Sequence, residues 1–124
     1  MTRVEDGKYY AWGRLYAALG ALGGLAGAGR VAAVPEAAMR TAVGKPRTVC
    51  EELLREVGNR VFTARQKGGT VAEAAAVVLA DVGRLIRPEP MGRGCLGEGH
   101  EKEFRQGYVA QLAEYRERWG ELVD

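Results

Sequence analysis

The sequence predicts an all-α protein, a single helical bundle of four longer helices and one short one, and three observations predict it. Large apolar residues recur at spacings of three and four, the helical period, along most of the 124 residues. Proline and glycine interrupt that pattern at a few defined places. No run of β-branched and aromatic residues alternates with polar ones, so no strand is expected. A chain of this length buries a real core without disulfides or metal, and one domain, residues 1–124, is expected.

In the first helix, residues 8–26, Tyr9, Trp12, Tyr16, Leu19, Gly23 and Ala26 follow the helical period, and Leu15 and Leu22 widen the apolar stripe. Its second half is built of alanine and glycine. Each glycine lowers helix stability by about 1 kcal/mol relative to alanine, so this end frays unless packing holds it. Pro35 suits a first helical position and Glu36 the first-turn dipole, predicting a short second helix over 35–43 that stops at Gly44. Pro46 opens a third helix over 46–66, with Val49, Leu53, Val57 and Val61 or Phe62 on one side, and Gly68-Gly69 ends it.

Thr70-Val71-Ala72-Glu73 has the spacing of a capping box and predicts a fourth helix over 70–85, with Val71, Ala75, Val78, Val82 and Leu85 inward. Pro88 and Pro90 stop it. Residues 87–99 read as a mobile loop, rich in proline and glycine and without period. The last helix, 100–122, places Phe104, Tyr108, Leu112, Tyr115, Trp119 and Leu122 on one stripe. Four of the nine aromatic residues lie there, so the rest of the chain must supply a surface for it.

Several function classes fall away at this level. The chain has no serine, which removes a Ser-His-Asp triad, and Gly44-Lys45 is followed by Pro46, which removes a phosphate loop. The glycines at 23, 24, 27 and 29 make no dinucleotide fingerprint and follow no strand. Cys50, Cys95 and His100 are the only soft metal ligands, fewer than a zinc site uses, so neither metal nor cofactor is expected. A thiol enzyme would need Cys50 or Cys95 beside His100; a small buried cysteine is the simpler reading of Cys50. Two cysteines without a secreted framework, an uncharged run over 15–29 too short to span a bilayer, and no export signal point to a cytoplasmic protein with free thiols.

Charge is the stronger lead. The formal charge is +2, yet residues 30–67 carry eight basic and four acidic side chains, while residues 68–124 carry seven basic and ten acidic ones. Arg40, Lys45, Arg47, Arg55, Arg60 and Arg65 are the candidate contacts to a nucleic-acid backbone, with Lys45 and Arg47 flanking a helix start whose amides favour anions. The alternative is that these arginines only solubilise an alanine-rich bundle, and that the chain is a helical protein–protein interaction module with no nucleic-acid role.

The terminal helix carries a further signal. Phe104, Gly107, Tyr108 and Gln111 have the form F-x-x-G-Y-x-x-Q, which resembles a segment near the C-terminus of the large subunit of type I-C CRISPR interference complexes (Cascade). The first helix, around Gly13, Arg14 and Leu15, is similar to that family's opening G-R-L helix. Ala42-Val43-Gly44-Lys45-Pro46-Arg47-Thr48-Val49 resembles its loop into the next helix. Val109-Ala110 stand where the family has Tyr-His, and the family's Asn-Ala-Thr-Ile segment is not evident near residues 37–42.

In that family the C-terminal helical domain is also made separately as the small subunit. The resemblance therefore implies a non-catalytic subunit that lines the ribonucleoprotein complex in more than one copy. Its implied partners are the large subunit, the backbone subunits, further copies of itself and the single-stranded DNA of the R-loop, with the guide RNA as a further candidate. Gly107 sits in mid-helix, where a glycine is unfavourable unless another backbone or ring lies against it. Close helix packing is the preferred reading of that glycine, with direct nucleic-acid contact as the alternative.

Overall fold

The computed structural model describes residues 7–88, 91, 92 and 94–124. They form five α-helices: α1 (Lys8–Ala26), α2 (Glu36–Gly44), α3 (Pro46–Gln66), α4 (Gly69–Leu85) and α5 (Glu98–Arg118), followed by a 3-10 turn, Gly120–Leu122. Among the described residues there is no strand, only one bridge between Val31 and Val123. There the Val31 N–H donates to Leu122 O (2.7 Å) and the Asp124 N–H to Val31 O (2.9 Å).

Helix α1 is central. It packs against α3, α4 and, most extensively, α5. Trp12, Leu15, Tyr16, Leu19, Leu22 and Leu25 are buried, and so are Ala11, Ala17, Ala18 and Ala21, which places small or apolar residues around most of the helix. A helix apolar all round is one enclosed by its neighbours. The glycine-rich end does not fray: Leu22 and Leu25 are fully buried, and the Gly24 carbonyl accepts from the N–H groups of Gly29 and Arg30, closing the turn that sends the chain back.

Three local expectations need correction. Helix α2 begins one residue later than expected, with Pro35 just outside and its carbonyl accepting the Met39 N–H (3.1 Å). The capping box does not form. Gly68 and Gly69, both at positive φ (69° and 57°), turn the chain into α4 before Thr70, and the cap has no side-chain hydrogen bond. Helix α5 starts two residues earlier and ends at Arg118, because Trp119 leaves helical geometry and the chain turns to pair with Val31. Trp119 stays buried nonetheless, its ring 5.6 Å from that of Tyr115.

Within the expected loop, Met91 and Leu96 rest against the core, and the Leu96 N–H donates to Val43 O (3.0 Å). Glu98 and Gly99 already belong to α5, and Glu89, Pro90 and Arg93 lie outside the described residues.

Candidate nucleic-acid interface

Two groups of residues singled out by the sequence lie in different surroundings. The first group meets where α1 crosses α5. A Cβ at Gly13 would collide with the Phe104 carbonyl and come within 3.0 Å of the Tyr108 nitrogen; one at Gly107 would collide with the Tyr10 carbonyl. The two helices thus touch backbone to backbone at reciprocal glycines, an approach no other residue permits.

Aromatic and polar groups close this crossing. The Tyr16 ring lies 5.7 Å from Phe104 and 5.6 Å from Tyr108, and the Tyr108 hydroxyl accepts the Val34 N–H (2.8 Å). Gln111 is fully buried; its amide oxygen accepts from Arg14 Nε (2.7 Å) and its amide nitrogen donates to Glu114 (2.8 Å). Leu15 is buried one residue on. Further along α5, the Tyr115 hydroxyl donates to Asp81 on α4 (2.8 Å). Burial raises the phenol pKa of Tyr16, Tyr108 and Tyr115, and for Tyr115 the neighbouring Asp81 carboxylate pushes the same way.

The basic residues lie mostly on α3. Arg47 and Arg65 are eighteen residues, or about five turns, apart and share a side; Arg55 lies roughly a quarter-turn round from them. Glu52 and Glu56 follow on the next strip of the surface, and Arg60 lies beyond them on the opposite flank. There the Arg60 guanidinium lies over Gly23 of α1, where an added Cβ would meet Nη1 at 2.8 Å. The six candidates therefore do not form one patch: Arg47, Arg55 and Arg65 share a strip, Arg40 is exposed on α2, Lys45 is exposed between α2 and α3, and Arg60 faces α1.

Their electrostatic states differ as well. Arg47 is half-buried and pairs with Glu51 (3.3 Å). Among the described residues, Arg40, Lys45, Arg55 and Arg65 hold no ion pair. Other basic residues serve the fold: Arg105 bridges Glu36 and Glu101, and Arg30 pairs with Asp124. The Arg105 guanidinium holds the Glu36 carboxyl below its ordinary range, and Arg30 does the same to Asp124.

The thiols also separate. Cys50 is buried, which pushes its pKa up to about 12, while Cys95 is exposed. Cys95 and His100 line one shallow cleft with Lys8, Tyr9 and Trp12, and the His100 ring stacks on Tyr9 at 3.8 Å. Among the described residues, no three of His, Cys, Asp and Glu gather closely enough to hold a metal ion.

The sequence left the inward position on α3 to Val61 or Phe62, and the structure gives it to Val61. Phe62, 66% exposed, lies on the same strip as Arg55 and Arg65. Its signal was phase: Val57 and Val61 continue the inward spacing of four, which leaves Phe62 turned outward. Compared with protein-family models, curated proteins and solved structures, the chain matches none.

Proposed function

We propose that this chain is a non-catalytic small subunit of a type I RNA-guided CRISPR interference complex. In this reading it is a single helical bundle that lines the complex and steadies the separated target DNA strands through sequence-independent backbone contacts. The observation that supports it is the α1–α5 crossing. Arg14 and Gln111, 97 residues apart, belong to two short strings that resemble the type I-C family, and their side chains bond directly, beside the reciprocal contacts of Gly13 and Gly107.

The exposed cations Arg40, Lys45, Arg55 and Arg65 would meet phosphates, and Arg47 would exchange Glu51 for one. Base readout is not part of the role, since guide pairing carries sequence specificity and the protein reads backbone and shape. The partners are the large and backbone subunits, further copies of this chain, the R-loop DNA and the guide RNA, with no cofactor. The setting is the cytoplasm. Among the described residues, no helix is long and apolar enough to cross a membrane.

The test is co-expression of the tagged chain with the large and backbone subunits of its own system and a guide RNA. Co-purification, with loss of stable target-strand separation when the chain is omitted, is the expected result. Assembly and strand separation that proceed equally well without it would refute the role.

The outer side of α4 favours a second reading, a helical module that binds a protein. Ala76, Leu79, Ala80 and Gly83 are exposed there between Glu73 and Arg84, and Leu79 and the following Ile86 are 40% and 50% exposed. Under that reading, reversing the charges of Arg47, Arg55 and Arg60 leaves partner assembly and activity intact.

A further inference from the structure

Phe62 is a large apolar side chain left in solvent on a helix that buries its other face. Its surroundings say what would cover it. Arg55 precedes it by seven residues and Arg65 follows by three, so all three project on one side of α3. A cleft beside the ring is lined by Gly58, Val61, Arg65 and Gln66, and Gly58 opens it, since a Cβ there would meet nothing within 4 Å. From residue 57 to residue 72 the chain carries Arg60, Arg65 and Lys67 and no acidic residue, while Arg55, which holds no ion pair among the described residues, follows Glu51 and Glu52 by one turn.

We infer that Phe62 is a stacking platform for an unpaired base of a single nucleic-acid strand whose phosphates lie on Arg55 and Arg65. This deepens the proposed nucleic-acid reading and rests on it. Single-strand binding combines a cationic track with aromatic rings, because every base has a flat face that stacks and every nucleotide a phosphate that pairs. Arg55 and Arg65 are ten residues apart, about 15 Å along the helix, which leaves room for a nucleotide between them over Phe62. An acidic amphipathic helix fits the charge but not the shape: such a helix seats several apolar anchors at successive turns, and this strip offers one ring and the edge of Val61 among glycine, arginine and glutamine. Exposure also means that Phe62 can be replaced without disturbing the core.

The experiment compares binding of the full chain, at low salt, to a labelled oligothymidylate, an oligouridylate and an abasic strand of equal length. The expected result is about tenfold tighter binding to the base-bearing strands than to the abasic one. Phe62→Ala should remove that difference while leaving abasic binding unchanged, and Phe62→Trp should keep it. Whichever of the deoxy and ribo strands binds tighter identifies the natural ligand. Arg65→Ala should weaken all strands alike and reduce the salt slope by about one.

Equal binding of wild type to all strands, with no effect of Phe62→Ala but a loss in Arg65→Ala, would overturn the platform and leave the backbone reading standing. No binding to any strand would overturn both. Binding of an acidic amphipathic peptide that is lost in Phe62→Ala, with no discrimination among strands, would overturn the platform in favour of a protein partner.

Discussion

The α1–α5 crossing and the outer strip of α3 are opposites built from similar residue types. At the crossing, aromatic rings, an arginine and a glutamine are drawn inward, no fully buried polar side-chain atom among the described residues lacks a partner, and reciprocal glycines bring the two backbones into contact. On α3, an aromatic ring, arginines and a glutamine face solvent around an open glycine. The comparison teaches that Gly13, Arg14, Phe104, Gly107, Tyr108 and Gln111 are packing residues. Any contact with nucleic acid has to come from residues outside that crossing.

The sharpest way to break the comparison is at its buried end. Gly107→Ala forces a methyl group into the Tyr10 carbonyl, which neither backbone can yield without moving a whole helix. It should destabilise the protein by about 3 kcal/mol, read as a lower urea midpoint. The same substitution at Gly58 meets open space and should not destabilise.

Alkaline pH probes the same end without mutation. The phenols of Tyr16, Tyr108 and Tyr115 have folded pKa values raised above the ordinary 10.0. Their contribution is therefore complete below about pH 10 and is lost as pH rises through the raised folded values. Urea midpoints measured between about pH 8 and pH 11 should fall only in the upper part of that range.

Smaller effects separate the regions more finely. Tyr115→Phe removes the hydrogen bond to Asp81 and should cost about 1 kcal/mol, because Asp81 keeps its contact with Arg84. Cys50 on the inner side of α3 should resist a thiol reagent until the protein unfolds, whereas Cys95 reacts at once. Arg65→Glu, on the outer strip, should change stability by no more than about 0.5 kcal/mol. A larger loss there would mean that the strip belongs to the fold.

The helices were legible because their apolar residues keep the helical period over several turns, which is why Phe104, Tyr108, Leu112 and Tyr115 are all buried. The helix ends were less so. Thr70 and Glu73 have capping spacing, but the left-handed geometry available at Gly68 and Gly69 starts α4 first. Trp119 keeps the helical phase of its stripe yet leaves the helix, because the pairing of Val31 with Val123 is set by residues some 90 positions away. The candidate site was legible in composition and not in arrangement. A count of arginines between 40 and 65 cannot tell that Arg60 turns to Gly23, that Arg47 pairs with Glu51, or that Phe62 faces outward.

The central claim is that the outer strip of α3 binds a nucleic-acid backbone. Its most direct test is a filter-binding titration of the full chain against single-stranded DNA at rising salt, repeated with Arg55→Glu/Arg65→Glu. The account predicts binding at low salt whose logarithm falls linearly with that of salt concentration, and a loss of that binding in the double variant. No binding at low salt, or undiminished binding after both reversals, would contradict it.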